Sequence, residues 1–218
     1  APREKREVGS TINYLSLEEL QQLIDSILPT YKIRGDNIVK VQVLRDRILL
    51  GCMALQGCRS IEMYRANLGN ISESCGQYYF KLDGKNSIRT VILRPDLGEE
   101  IAQYRQARRS TKEKLTTESP LFISLSNRRY GQRLSRRGIG FVVDGYLEKC
   151  GLKHTDLERN LSPHSLRHTA GTLSLQSGSS LREVQDFLGH SDPKTTAVYT
   201  HVPNSQENNP ASKIEIDF

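Results

Sequence analysis

The stretch from residue 161 to residue 202 holds four side chains whose types suit one kind of chemistry. They are His164, Arg167, His190 and Tyr199. An arginine can grip two phosphate oxygens at once, a histidine can donate a hydrogen bond or move a proton, and a tyrosine can hold a phosphate covalently. No serine or cysteine of this stretch lies in an elbow motif. The set therefore favours attack by a tyrosine on a phosphodiester.

Capping signals predict where two of these side chains lie. The S-x-x-E pair at 180–183 has the spacing of a capping box, and Gly189 can end that helix in a left-handed conformation. The D-P pair at 192–193 is typical of the start of another helix. The pattern predicts that His190 lies at the junction of two helices and that Tyr199 lies on the second, short one.

Positive charge is concentrated in the middle of the chain. The segment 105–137 contains ten lysines and arginines against two glutamates, while the whole chain carries a net charge of only +6. A clustered basic segment is the usual electrostatic signature of nucleic-acid binding. A helix predicted to follow Ser135 carries two arginines at its start, where phosphates are favoured. The residues predicted to contact DNA are Arg128, Arg129, Arg133, Arg136 and Arg137.

Composition limits the other functions that this chain could have. Its 218 residues are enough for one domain with a real core. It has no phosphate-binding loop and no acidic cluster suited to Mg²⁺, so we expect chemistry without ATP, metal or other cofactor. Its four cysteines have no metal-ligand spacing and are typical of reduced thiols in a cytoplasmic protein. No run of 18 apolar residues indicates a membrane span.

Periodicity predicts a mainly α protein with one small antiparallel β-sheet, an α+β class. A capping box at 16–19 opens a first helix, and helical spacing over 41–55 predicts a buried central one. Two β-rich runs, 78–82 and 88–93, flank Asp83-Gly84, a strong hairpin signal. A further helix is predicted to start at Asp96.

The two ends of the chain differ from this folded region, 11–202. Residues 1–10 are charged and patternless, and are predicted to be a linker. Residues 203–212 are polar with two prolines, also typical of a linker. Residues 213–218 alternate apolar and charged side chains, which predicts a short strand that needs a sheet edge or an apolar groove. The alternative is a frayed terminus.

The pattern H-x-x-R, then L-G-H, then Y-T-H-V resembles the C-terminal signature of the tyrosine recombinase (phage integrase) family, especially its Xer-like members. A second segment, LQGCRSIEMYRANLGNI, resembles that family's first box, T-G-L-R-x-S-E-L. Gly57, Arg59 and Glu62 occupy matching positions. Cys58 and Met63 replace leucines there, and both replacements are apolar.

The predicted hairpin turn holds the candidate for a third family feature. The family carries a catalytic lysine at such a turn, typically in G-K-G-x-K-x-R-x-V-P-L, which GKNSIRTVIL resembles. This chain is one residue shorter there and lacks the second glycine. Lys85 directly follows Gly84 at the tip and is the favoured match, with Lys81 as the competing candidate.

The resemblance implies the catalytic fold of DNA breaking-rejoining enzymes, with a helical DNA-binding domain upstream of it. It implies Tyr199 as nucleophile, with Arg59, Arg167 and His190 binding the phosphate. His164 is the candidate base, Lys85 the candidate acid and Glu62 an acid that orients this cluster. The implied partners are double-stranded recombination sites, three further protomers in a homotetramer, and an accessory DNA-bending protein.

Two other functions remain open at this point. A type IB topoisomerase relaxes DNA with a similar set of residues, although the Y-T-H-V context argues against it. A DNA-binding regulator could keep the fold without cutting. A phage, a transposon, a conjugative element and chromosome resolution all remain possible settings for DNA integration or recombination.

Overall fold

The computed structural model describes residues 13–27, 37–84, 87–153, 159–189 and 209–218. Within these ranges the chain forms seven α-helices and three β-strands. They are α1 (Leu17–Asp25), α2 (Asn37–Ala54), α3 (Ser60–Arg65), β1 (Ile71–Ser74), β2 (Gln77–Asp83), β3 (Ile88–Ile92), α4 (Pro95–Ser110), α5 (Arg136–Lys149), α6 (Pro163–Gln176) and α7 (Leu181–Leu188). This architecture confirms the predicted mainly α class with a small antiparallel sheet.

Helix α2 runs through the centre of the described fold. Its second half is buried on every side, from Ile48 through Leu50 to Met53, and it packs against α1, α4 and α6. A helix that is apolar all round belongs in a core, so the prediction of a buried central helix is confirmed. No helix in the described ranges is both long enough and apolar enough to cross a membrane.

The sheet has the order β1-β2-β3 and is antiparallel throughout. The predicted hairpin is confirmed, with Tyr79 opposite Ile92 and Asp83 opposite Ile88. The sequence patterns did not identify β1, because only Ile71 of its four residues is buried. An edge strand with one core-facing side chain leaves almost no alternation to detect.

Three predicted helix ends are present in the structure. Ser16 with Glu19 and Ser180 with Glu183 form complete capping boxes at the starts of α1 and α7. Gly189 ends α7 in the left-handed conformation with φ of 62°. These caps satisfy backbone groups that the helices leave without intrahelical partners.

Helix α4 starts one residue earlier than predicted. Pro95 is its first helical residue and Arg94 its N-cap, so Asp96 is the second helical residue instead of the first. The Asp96 carboxylate accepts from the Leu97 amide at 2.7 Å and pairs with Arg94 at 2.7 Å. Proline takes the first position because its missing N–H is not needed there.

The end of the chain lies on its own domain. Arg94 donates to the carbonyl oxygens of Ala211, Ile214 and Ile216 at 3.2, 2.8 and 3.3 Å. The Phe218 ring lies 4.8 Å from the Arg47 guanidinium carbon. The predicted strand over 213–218 is absent from this segment, which forms a 3₁₀ turn, Pro210–Lys213, followed by non-strand chain. Side-chain donors hold its carbonyls, so it needs no sheet edge.

Candidate active site

The loop after α2 places Arg59 beside a buried carboxylate. Gly57 turns the chain with φ of 61°, and Arg59 then becomes the N-cap of α3. The Arg59 amide donates to Glu62 Oε2 at 2.7 Å, and its Nη1 donates to Oε1 at 3.2 Å. The Glu62 side chain is 1% exposed and that of Arg59 is 34% exposed. Arg59 is therefore a partly exposed cation whose backbone and side chain are both bound to a buried carboxylate.

Arg167 lies on α6 and is almost fully buried. Its Nη1 donates to the Gly57 carbonyl and its Nη2 to the Leu188 carbonyl. Burial, and then the positive charges of Arg59 and Arg89, lower the pKa of Arg167 to about 10. The guanidinium is still a cation at neutral pH, and it links the end of α2 to the end of α7.

Three guanidiniums converge on the carboxyl end of α7. The pairs are Arg89 with the Phe187 carbonyl at 2.6 Å, Arg167 with that of Leu188, and Arg59 with that of Gly189 at 3.3 Å. The last carbonyls of a helix lack intrahelical donors and carry partial negative charge, so cations are stabilising there. The two predicted motif segments thus meet at the residue that precedes His190.

Glu62 lies between two of these arginines. Arg89 donates to it through Nε at 3.2 Å and through Nη2 at 3.1 Å. Burial alone would raise the pKa of Glu62, but the hydrogen bond and charge of Arg89, and then those of Arg59, hold it below its ordinary value. With three guanidiniums against one carboxylate, the cluster has a net positive charge and suits an anion.

His164 lies three residues before Arg167 on α6 and is exposed. Partial burial, followed by the charges of His168, Arg167 and Arg59, lowers the pKa of His164. This direction favours the neutral imidazole, which is the form that can accept a proton. A neutral imidazole is the form that the predicted role of base requires.

His168 was missed as a neighbour of this site. It lies four residues after His164, and the two rings meet edge to face with their centroids 4.5 Å apart. Such i, i+4 spacing is also that of a zinc-binding pair, and it was readable from the sequence. Among the described residues, no further acidic, cysteine or histidine side chain joins the pair in a group that could hold a metal.

Three predicted catalytic residues, Lys85, His190 and Tyr199, lie outside the described residues. The competing candidate, Lys81, is exposed on β2. The base of the hairpin turn is held to α3, because Arg65 donates to the Gly84 carbonyl and to Asp83 Oδ1.

The predicted DNA-contacting arginines divide into two groups. Arg128, Arg129, Arg136 and Arg137 are exposed. Arg133 is half-buried, and it donates to the carbonyls of Tyr64 and Ala66 at 2.8 and 3.0 Å and to Asn67 Oδ1 at 2.5 Å.

Two other charges of the basic segment are also used internally. Arg108 is fully buried and pairs with Glu113 at 2.7 Å, and Arg105 donates to the Leu68 and Ile71 carbonyls. A charge count over 105–137 thus overstates the positive charge available at the surface.

Residues 13–206 match the phage integrase family. The chain belongs to this family. Tyrosine recombinase XerD of Staphylococcus epidermidis is 34% identical to it over 171 residues, which are 78% of this chain and 54% of XerD. The chain thus spans about half the length of the curated relatives it matches.

Solved structures agree with this assignment to the integrase family. The XerH site-specific recombinase, in a pre-cleavage complex with its difH substrate, is 26% identical, with a TM-score of 0.64. That match covers 87% of this chain and 50% of XerH. The XerA recombinase is 23% identical, with a TM-score of 0.63 over 94% of this chain and 63% of XerA, a likeness that shows the fold alone.

Proposed function

We propose that this integrase-family chain is the catalytic part of a site-specific DNA recombinase, which cuts and rejoins DNA through a 3′-phosphotyrosyl intermediate. The observation that carries the proposal is the meeting of Arg59 and Arg167 at the end of α7. Their guanidiniums, with the Glu62 carboxylate beside Arg59 and His164 three residues before Arg167 on α6, form a site for one phosphate. Tyr199 follows α7 by eleven residues in the sequence.

Tyr199 attacks the scissile phosphorus, which forms a 3′-phosphotyrosyl bond and releases a 5′ hydroxyl. A free tyrosine has a pKa of about 10, so its phenol needs a base, and the lowered pKa of His164 suits that task. Arg59, Arg167 and His190 bind the non-bridging oxygens and stabilise the charge gained in the transition state. Lys85 supplies the proton to the leaving 5′ oxygen.

The reaction then runs in reverse on a new partner. A 5′ hydroxyl from the second DNA strand attacks the phosphotyrosine, which restores the phosphodiester and frees Tyr199. Because the bond energy is kept in the phosphotyrosine, this scheme consumes no ATP, and it assigns no step to a metal. The class of reaction is strand transfer between two DNA sites.

We place the reaction in an assembly of four protomers on two recombination sites, with an accessory protein that bends the DNA. Arg128, Arg129, Arg136 and Arg137 are exposed cations on and just before α5, and they supply contacts to DNA phosphates. Arg133 contributes by fixing the chain that leads into that helix. The setting that fits these roles is the bacterial cytoplasm, with the protein bound to the nucleoid.

The test begins with the selection of a nicked DNA duplex to which the chain becomes covalently attached, here called the capture duplex. A randomised library of nicked duplexes is incubated with the chain, and SDS-resistant complexes are recovered and sequenced over several rounds. A recombinase enriches one site and becomes attached to its 3′ end, whereas a non-cleaving regulator yields no adduct. Failure of the wild-type chain to form any adduct would overturn the proposal.

A second assay separates recombination from relaxation. Two duplexes carrying the enriched site are mixed with the chain, and a supercoiled plasmid without the site is treated in parallel. A recombinase joins strands from different duplexes and leaves the plasmid supercoiled. Relaxation of the plasmid without strand exchange would instead favour a type IB topoisomerase, which the similarity to Xer recombinases does not favour.

A further inference from the structure

Arg89, on β3, binds two separate parts of the site, a carboxylate on α3 and a carbonyl on α7. Its Nε and Nη2 donate to the two oxygens of Glu62, and its Nη1 donates to the Phe187 carbonyl. All three nitrogens are therefore engaged, and the side chain is only 13% exposed, against 34% for Arg59. Arg59 is thus the more exposed of the two arginines that pair with Glu62, and every side-chain nitrogen of Arg89 donates to another residue of the protein.

Arg89 also packs against the residue that ends α7. A β-carbon built on Gly189 would lie 2.7 Å from Arg89 Cδ, closer than real contacts allow. Gly189 has φ of 62°, a conformation that favours glycine in its own right. The glycine before His190 thus meets two demands at once, a left-handed turn and room for the Arg89 side chain.

We propose that Arg89 is a positioning residue for the cleavage reaction, which fixes the end of α7 before His190 and holds Glu62 away from full pairing with Arg59. This proposal rests on the proposed function and assigns Arg89 no contact with DNA. It makes the β-hairpin a structural part of the phosphate site, in addition to the predicted role of Lys85, which lies between β2 and β3 in the sequence.

Charge balance gives the second part of this role. Glu62 is buried and ionised, and Arg89 is its main partner. A buried carboxylate that loses its partner recruits the nearest cation, because an unpaired buried charge is strongly unfavourable. That cation is Arg59, already 3.2 Å away. Without Arg89, Arg59 is held by Glu62 and is less available to a phosphate.

The test uses the full chain and its capture duplex, with four variants: Arg89→Gln, Glu62→Gln, the double variant, and Arg182→Gln as a control. Arg182 is an exposed arginine at the opposite end of α7. DNA affinity, the single-turnover rate of adduct formation and the melting temperature are measured for each. Rates are compared per folded molecule, at temperatures below every melting transition.

Arg89→Gln is expected to slow adduct formation about 100-fold, the effect of an ångström-scale misplacement of catalytic groups. DNA affinity is expected to stay at the wild-type value, and Arg182→Gln is expected to change neither quantity. The double variant should be no slower than Arg89→Gln, because removing the carboxylate frees Arg59 again. It should remain slower than Glu62→Gln alone, which keeps the bond to the Phe187 carbonyl.

Several outcomes would overturn the assignment. One is a wild-type rate for folded Arg89→Gln; another is a weaker affinity with a flatter salt dependence, which would make Arg89 a DNA contact. If the rate losses of Arg89→Gln and Glu62→Gln multiply in the double variant, the two residues act independently. Arg89 would then not act on the reaction through Glu62. If Arg89→Gln does not fold, Glu62→Gln is compared with the double variant, which leaves no unpaired buried charge. Equal rates for those two would then contradict the role.

Wild-type adduct formation is measured first, and it separates the two proposals. If the wild-type chain forms no adduct, the proposed function fails and the role of Arg89 fails with it. If the wild-type chain reacts and Arg89→Gln reacts equally well, only the role of Arg89 is lost.

Discussion

The Arg167 guanidinium donates a hydrogen bond to the Gly57 carbonyl, a contact between residues 110 positions apart in the chain. Gly57 lies two residues before Arg59 in the loop after α2. The hydrogen bond from Arg167 therefore fixes the loop that carries Arg59. Each terminal nitrogen of an arginine has two N–H groups. Arg167 can therefore bind the Gly57 and Leu188 carbonyls with one N–H of each terminal nitrogen and donate the second N–H of each to a phosphate.

The exposed arginines that open α5 give a prediction about DNA binding. Replacing Arg136 and Arg137 by alanine should weaken DNA binding. It should also lower the magnitude of the slope of log affinity against log salt concentration by about 2, because each phosphate contact contributes about 0.9 to that slope. Fluorescence anisotropy on the capture duplex at several salt concentrations measures both quantities. The control removes two exposed cations elsewhere, with Lys40→Ala and Arg182→Ala combined. An unchanged slope for the α5 variant would show that DNA binds a different surface of the protein.

The neighbouring histidines give a prediction about pH. The charge of His168 helps to lower the pKa of His164, but partial burial is the larger cause. His168→Gln should therefore raise the pKa of His164 while leaving it below the ordinary value of about 6.5. Ring-proton NMR titration measures this pKa directly. If His164 is the base, the acidic limb of the adduct-formation profile moves to higher pH by the same amount. A pKa that falls or stays fixed would contradict the assignment of its causes.

Glu62 gives a prediction about stability. Its folded-state pKa is lowered, so its ionised form contributes stability above the unfolded-state pKa of about 4.3. That contribution is lost as the pH falls through the lower folded-state value. Glu62→Gln should cost about 3 kcal/mol near pH 7, as expected for breaking a buried ion pair, and the cost should shrink below about pH 4.

Urea denaturation of wild type and variant from pH 3 to pH 8 measures that difference in free energy of unfolding. Glu99→Gln, at an exposed position on α4, is the matched control and should change stability little. A cost for Glu62→Gln that grows on acidification would show that the carboxylate does not gain from its ionised form.

Local signals predicted the parts of the site that depend on local structure. The capping box at Ser180, the turn at Gly189 and the hairpin each need only a few adjacent residues, and all three are present. The family resemblance identified Arg59, Glu62 and Arg167, which the structure brings together. Arg89 was missed because its importance comes from two partners, 27 and 98 positions away. The family pattern G-K-G-x-K-x-R-x-V-P-L has an arginine at the position that Arg89 takes in GKNSIRTVIL, but the pattern does not reveal these partners.

The basic segment was overestimated for a related reason. Arg105, Arg108 and Arg133 donate to backbone carbonyls in the interior or at its edge. A count of charges along the sequence cannot separate such structural arginines from exposed ones, because the distinction depends on tertiary contacts. The tail shows the same limit. Its alternating pattern correctly indicated one apolar side, since Ile214 is buried. The pattern did not predict the 3₁₀ turn at Pro210–Lys213.

Arg94 gives a prediction about that tail. Arg94→Gln removes a guanidinium that binds three tail carbonyls, so amides in 209–218 should exchange with deuterium faster than in the wild-type chain. Mass spectrometry of peptides from this segment measures the exchange. Arg109→Gln, at the exposed end of the same helix, should leave the exchange unchanged. Equal protection in both variants would show that Arg94 does not hold the tail.

The most direct test of the central claim is covalent capture by wild-type chain and by Tyr199→Phe. The substitution deletes one hydroxyl and leaves the basic surface intact, so both proteins should bind the capture duplex with the same affinity. The wild-type chain should form an SDS-resistant adduct at the 3′ side of the cut, and Tyr199→Phe should form none. An adduct that persists in Tyr199→Phe would show that Tyr199 is not the nucleophile and would contradict the account of this site.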